Sequence, residues 1–285
     1  MILVTGATGN VGREVVNMLL TSGERVVALT RHPDKAVLPD SAVVVGYDPS
    51  HPQELSKMLH NANAILISPR ALGDATAGAA TAELLAIAAQ QGTPRVVVLS
   101  AATVEYGGGY KRFAAAFEAV EEAARTSGLP WTFLRSTDYA SNSMAWVPQI
   151  RATGIVRGAY GDGATATIHE RDVAAVAALA LVGAVHAGHS YVLTGPQPLS
   201  QRDKVRLIGE AIGRDVHWEE LSPEQAKAAM LAQGLPADIP DRLLGYWSTI
   251  GQRTEPSTTM VQQILGRPAL TFAQWAAEHA AAFRN

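Results

Sequence analysis

The chain has 285 residues, 47 % of them apolar and 17 % charged, with a formal net charge of −3. That length can bury one large α/β core, or a core plus a smaller lobe, and the lack of any basic run argues against nucleic acid as a partner. With no cysteine, disulfides, thiolate catalysis, iron–sulfur clusters and cysteine-based zinc sites are excluded. The sequence starts directly on an apolar run, so no signal peptide is read. The most apolar stretch, Val173 to Val185, is interrupted by Gly183 and too short to span a bilayer. A cytoplasmic protein without a membrane partner is expected.

The run Ile2 to Val4 leads into Gly6-x-x-Gly9-x-x-Gly12, and a helical pattern (Val11, Val15, Val16, Leu19, Leu20) follows at once. Strand, glycine turn and helix in this order point to dinucleotide binding. Gly6 permits the tight turn, Gly9 lets the backbone approach a pyrophosphate, and Gly12 lets the helix pack close to the strand. The helix N-terminus offers its unpaired N–H groups to the phosphates, so Thr8, Asn10 and Val11 are assigned to the cofactor with the three glycines. The alternative is an ordinary glycine-rich βα turn. The second strand, Arg25–Thr30, is followed by Arg31. An NAD site usually has an acid here for the ribose 2′-hydroxyl, whereas a guanidinium grips a 2′-phosphate, so NADP(H) is expected unless Arg31 is merely a solvated surface residue.

Further strands are read at 42–46, 64–68, 95–100 and 131–135, with helices near 52–60, 76–91 and 111–127. Their unbroken β-branched runs suit strands buried on both faces of a parallel sheet. The fold class is therefore α/β, a doubly wound (Rossmann) parallel sheet, whose ligand lies at the carboxyl ends of the strands. Asp48, after the third strand, either meets the adenine or shapes the Asp-Pro turn. Ser68 and Pro69, ending the fourth, either contact the cofactor or cap the next segment.

Residues 1–140 are read as the cofactor-binding core and 141–285 as a smaller, mixed α/β substrate-side lobe interleaved with it. In the lobe, short strands are expected at 165–168, 191–194 and 216–219, and helices near 172–183, 201–212, 223–233, 239–250 and 270–283. Asp172, beside His169, is read as the N-cap of the first of these helices. Glu121 and Glu122 read as a solvated helix face. The pair His186-x-x-His189 has no carboxylate nearby, so no metal is expected. Trp146, Tyr246 and Trp247 either line an aromatic substrate pocket or belong to the core.

Several of these segments together resemble the NmrA-like atypical short-chain dehydrogenases: Gly6-Ala-Thr-Gly-Asn-Val-Gly12, Arg31-His-Pro-Asp-Lys35, Glu121 with Ser127-Gly-Leu-Pro-Trp-Thr-Phe-Leu-Arg135, Asn142, Ile264-Leu-Gly-Arg-Pro268 and Phe272-Ala-Gln-Trp275. The resemblance implies NADPH-dependent reduction of quinones or dyes, or a catalytically silent NADP sensor. Ordinary members of the superfamily carry Tyr-x-x-x-Lys, whose tyrosine protonates the nascent alkoxide. No tyrosine here is followed by lysine four residues later; the matching positions are Phe113 and Phe117. These read as a buried apolar stripe or an aromatic wall over the nicotinamide. Tyr106, Tyr110 and Ser100 are weak candidates for a replacement acid, and Ser100 also counts as a cofactor contact. Tyr139 and Asn142 match substrate-side positions, and Arg135 reads as structural.

The leading expectation is an NADPH-dependent oxidoreductase acting on a small quinone-like or conjugated aromatic acceptor, with a homodimer possible. The alternative is a non-catalytic NADP(H) sensor that binds a partner protein; a weaker third reading is a narrow-substrate isomerase or reductase.

Overall fold

The computed structural model describes residues 1–73, 76–107, 111–252 and 256–284, the side chains of 111–113 and 252 aside. The chain forms two compact units. One comprises Met1–Glu105, Ala114–Ser136 and Glu170–Val192; the other comprises Tyr106–Phe113, Thr137–His169 and Leu193–Asn285. A single boundary at residue 140 therefore does not describe the chain, because a helix and a strand from beyond it return to the first unit.

In the first unit, β1 (Ile2–Thr5), β2 (Val26–Thr30), β3 (Val43–Gly46), β4 (Ala64–Ile67), β5 (Val96–Ala101) and β6 (Trp131–Ser136) lie in the order β3-β2-β1-β4-β5-β6. The paired strands β1 to β6 are parallel throughout. β1, β4 and β5 are buried along their full length, which is why their sequences are continuous apolar runs rather than alternating ones. Helices Ala77–Gln90 and Lys111–Thr126 cover one face, where Leu84, Leu85 and Val120 meet Leu3, Ile65, Val98 and Phe133. Helix α1 (Asn10–Thr21) packs with helix Glu170–Val182.

The strand His189–Leu193 is the seventh member of this sheet, beyond β6. It was expected in the smaller lobe. The turn before it is tied to β6 by Thr132 Oγ1 donating to the His186 carbonyl (2.8 Å) and Gly188 N–H donating to the Trp131 carbonyl (2.7 Å). Asp172 is likewise not an N-cap. Its helix starts at Glu170, so Asp172 is a buried residue of the first turn.

The second unit is built around Ile150, Val156, Ile208, Phe272 and the fully buried Trp275. Strand Ile155–Gly158 pairs in parallel with His217–Glu220, and Ala164–Thr165 pairs antiparallel with Leu199–Ser200, so of the expected 165–168 strand only one end forms. Helices Gln201–Ile212, Pro223–Ala232 and Phe272–Glu278 each begin with a capping box, from Ser200 and Asp203, Ser222 and Gln225, and Thr271 and Gln274. Each box satisfies N–H groups that a helix start leaves unpaired. Among the described residues no helix is long and apolar enough to cross a membrane.

Candidate functional site

Strand order reverses between β1 and β4, and the register aligns Val4 with Leu66 and Thr5 with Leu29. The glycine turn that leaves β1 thus sits at the topological switch point, on the carboxyl side of the sheet. Gly6 has φ +65°, and a Cβ there would stand 2.8 Å from Ser68 Cβ. At Gly12 a Cβ would lie 2.1 Å from the Gly6 carbonyl oxygen, so helix and turn approach as closely as only glycine allows.

Gly9 differs from both. It is exposed, its backbone (φ −75°, ψ 171°) suits any residue, and a Cβ would come within 3.3 Å of the Gly6 oxygen only. It is the N-cap of α1, with no side-chain cap and no acidic residue in the first turn. The leading N–H groups of the helix are therefore left for an anion, and the helix dipole favours one. Asn10 is exposed and Thr8 half-buried, whereas Val11 is buried and offers a ligand only its backbone N–H. Arg13, not singled out from the sequence, donates from Nη2 to the Thr8 carbonyl (3.1 Å) and brings a guanidinium to the turn. Gly9→Val is expected to leave the fold intact and abolish NADPH binding, because the new side chain takes the space over the turn. Calorimetry showing wild-type affinity would make the turn purely structural.

Arg31 follows β2 at the same end of the sheet, exposed and, among the described residues, with no ion-pair partner. Asp48 is exposed and engaged with its own turn: it accepts from Ser50 N–H (2.9 Å) and Ser50 Oγ (2.7 Å), with His51 Nδ1 at 3.3 Å. The Ser50 bonds hold its carboxyl below the usual carboxylate range, and its turn-shaping role is thus the one seen. Ser68 faces the glycine turn while its N–H donates to Thr5 Oγ1 (2.7 Å), and Pro69 is buried behind it. No side-chain cap comes from Ser68.

Ser100, Glu121 and Arg135 form one buried network, which corrects the solvated reading of Glu121. The Glu121 side chain is 0 % exposed. It accepts from Ser100 Oγ (2.6 Å), Arg135 Nε (2.9 Å) and Nη2 (2.6 Å), and Arg125 Nη2 (2.7 Å). Arg135 also pairs with Glu105, and Arg125 lies over the stacked rings of Trp131 and Phe133. Burial alone would push the Glu121 carboxyl up. Hydrogen bonds from Arg135 and Ser100, with the charges of Arg135 and Arg125, outweigh it and hold the group below its ordinary value. Ser100 directs its one proton to this carboxylate. Glu122, one residue on, is solvated as expected.

Phe117 is buried in the first unit. Phe113 belongs to the backbone of helix Lys111–Thr126, and Tyr110 lies outside the described residues. Tyr106, half-buried, ends a one-turn helix starting at Thr103.

In the second unit, half-buried Tyr139 bridges to Ile168 and exposed Asn142 donates to Asp138 Oδ1 (2.7 Å). Trp146 packs edge-on to Trp218 against the core of this unit, the structural alternative of the two. Tyr246 and Trp247 meet edge to face at 5.2 Å and are both half-buried. Trp247 faces Lys204, which no sequence motif singles out. The signal was present: Gln201, Lys204, Val205, Ile208 and Gly209 are the buried stripe of helix Gln201–Ile212, with a lysine in it. The described residues hold no cluster of three or more metal-ligating side chains.

A family model described as NAD(P)H-binding matches residues 6–182. Over 99 % of both chains the sequence is 36 % identical to a (4-alkanoyl-5-oxo-2,5-dihydrofuran-3-yl)methyl phosphate reductase of Streptomyces griseus. Over 99 % of both chains it is also 31 % identical to an NAD(P)H azoreductase of Xenophilus azovorans. Its fold is that of the triphenylmethane reductase of Citrobacter sp. complexed with NADP(H), with a TM-score of 0.85, 22 % identity and coverage of 98 % of this chain and 100 % of that one. The glycine turn thus stands inside a matched cofactor-binding segment, and the chain belongs to the NAD(P)H-binding family as an NAD(P)H-dependent oxidoreductase.

Proposed function

We propose that this protein passes a hydride from NADPH to a small conjugated electrophile, quinone-like or aromatic, with no side-chain acid taking part. The observation that carries the reading is the state of the two acid positions. No tyrosine of the chain has a lysine four residues later, the resemblance puts Phe113 and Phe117 where that pair would stand, and the Ser100 proton is held by Glu121. When bound, the nicotinamide supplies the hydride; the chain supplies the cradle at Gly9, the guanidinium of Arg31 and the positioning of the acceptor.

Acceptors that need no acid are those whose reduced form spreads its charge. The relatives' names fit that class. An azo compound is one such acceptor. The dihydrofuranone of the first relative has a ring double bond conjugated with two carbonyls, so hydride addition gives a delocalised enolate. The test is loss of NADPH absorbance across a panel of menadione, methyl red, an acyl-dihydrofuranone and simple aldehydes. Consumption with the conjugated compounds supports the reading, and no consumption with any acceptor despite tight NADPH binding would favour the sensor instead.

Cofactor choice follows from Arg31. NADPH is expected to bind at least about tenfold more tightly than NADH, a difference of roughly 1.4 kcal/mol, and Arg31→Ala to erase most of it. Titration of both cofactors into both proteins decides this; equal affinities in the wild type would remove Arg31 from the site.

A further inference from the structure

Lys204 is the one lysine among the fully buried side chains of the chain's described residues, 1 % exposed. Its Nζ lies 2.9 Å from Asp138 Oδ2, 3.2 Å from Thr165 Oγ1 and 5.0 Å from the centre of the Trp247 ring. An ammonium has three N–H donors, and a carboxylate, a hydroxyl and an aromatic face match them. Asp138 is held further by Asn142 Nδ2, which donates to Oδ1 (2.7 Å), and by Thr167 Oγ1, which donates to Oδ2 (3.4 Å). All of these residues belong to the second unit.

A buried lysine–carboxylate pair is weak evidence for stability, because well-packed apolar side chains of the same volume often stabilise as much, and in some proteins such a pair selects one geometry over others. What this pair fixes is informative. It joins three stretches of chain: the segment after β6 that carries Tyr139 and Asn142, the strand Ala164–Thr165, and helix Asp238–Gln252 with its Tyr246–Trp247 pair. Tyr139, Tyr246 and Trp247 keep part of their surface exposed and Asn142 is open to solvent, so the ammonium is buried while the groups around it can still touch a ligand.

We propose that Lys204 is a positioning residue for the electron acceptor: through Asp138 and Trp247 it holds Asn142, Tyr139, Tyr246 and Trp247 as one recognition surface for a flat conjugated molecule. The proposal rests on the reductase reading above. It makes Lys204 neither a proton donor nor a cofactor ligand, and it assigns the lysine to acceptor binding rather than to the hydride step.

The test compares wild type, Lys204→Met, the double variant Lys204→Met with Asp138→Asn, and Trp247→Leu. Three quantities are read: the KM and kcat for menadione, the Kd of menadione from quenching of tryptophan fluorescence, and the Kd of NADPH from calorimetry. Lys204→Met is expected to raise the KM and Kd for menadione by about tenfold or more, while kcat changes by less than about threefold and the NADPH Kd by less than about twofold. The single variant leaves a buried carboxylate unpaired and is expected to lower the Tm. The double variant removes that charge and is expected to recover Tm but not KM. Trp247→Leu, which leaves the ion pair whole, is expected to weaken menadione in the same way.

Recovery of both Tm and KM in the double variant would make the pair purely structural and overturn the proposal, as would wild-type menadione affinity in Lys204→Met or Trp247→Leu. Weakened menadione binding with no turnover by any of the proteins would keep the positioning role and overturn the reductase reading. If the wild type neither binds nor reduces menadione or methyl red, both fall.

Discussion

Glu121→Ala is expected to destabilise the protein by about 3–5 kcal/mol, because it leaves the Arg135 guanidinium buried without its main partner. The Glu121 carboxylate takes four hydrogen bonds from three residues, and its side chain is 0 % exposed. Ser100→Ala removes only one of those bonds and is expected to cost less, about 1.5–3 kcal/mol. The network also sets an acid limit. The Glu121 carboxyl is held below its ordinary value of 4.5, so its contribution is complete above that pH and is lost as pH falls through the lower, folded value. Urea melts at pH 7 and at successively lower pH provide the measurement. Wild type should lose stability on acidification below about pH 4.5, and Glu121→Ala should show a correspondingly flatter acid limb. A variant within about 0.5 kcal/mol of wild type at neutral pH would mean that the network is dispensable.

The first unit was legible in the sequence because its signals are local. A strand buried on both faces is an uninterrupted apolar run, Gly6 takes a positive φ in its own turn, and Gly12 is demanded by a carbonyl only six residues back; strand limits fell within a residue or two of those observed. Helix Gln201–Ile212 was equally plain, since an apolar stripe lies between a serine cap and Gly213, the latter at φ +67°. What failed was long-range. The strand at 189–193 carries no mark of the sheet it joins; its place depends on bonds from β6, more than fifty residues earlier in the chain. Strand Ile155–Gly158 was missed because its partner lies at His217–Glu220.

Charged residues misled for a related reason. Glu121 next to Glu122 looks like a wet helix face, and only Arg135, fourteen residues on and on another element, explains why one of the two is buried. Lys204 is the same case in the second unit, its partner Asp138 lying 66 positions away. Buried ion pairs, which the sequence shows only as unpaired halves, are where the candidate site was least readable.

The largest kinetic effect is expected between acceptor classes. With NADPH, turnover of menadione or an azo compound should exceed that of a simple aliphatic aldehyde by about 10²–10⁴, the usual contribution of a positioned general acid. The reason is where the proton comes from. Hydride addition to a quinone gives an aromatic hydroquinone anion, which persists until water protonates it. Addition to an aldehyde gives a strongly basic alkoxide with no conjugation to spread its charge, and this species needs its proton during the step itself. By the family resemblance, Phe113 and Phe117 stand where the tyrosine–lysine pair would, and the hydroxyl at the end of β5, Ser100, already donates to Glu121 at 2.6 Å. On the proposed reading water is the proton source, and only acceptors that can wait for it should turn over. Rates with both classes at saturating NADPH, measured between pH 6 and 9, test the point. The quinone rate should show no dependence on a side-chain acid across that range. Aldehyde reduction at a comparable rate, falling at high pH with the titration of a single group, would reveal a proton donor and redirect attention to Tyr106.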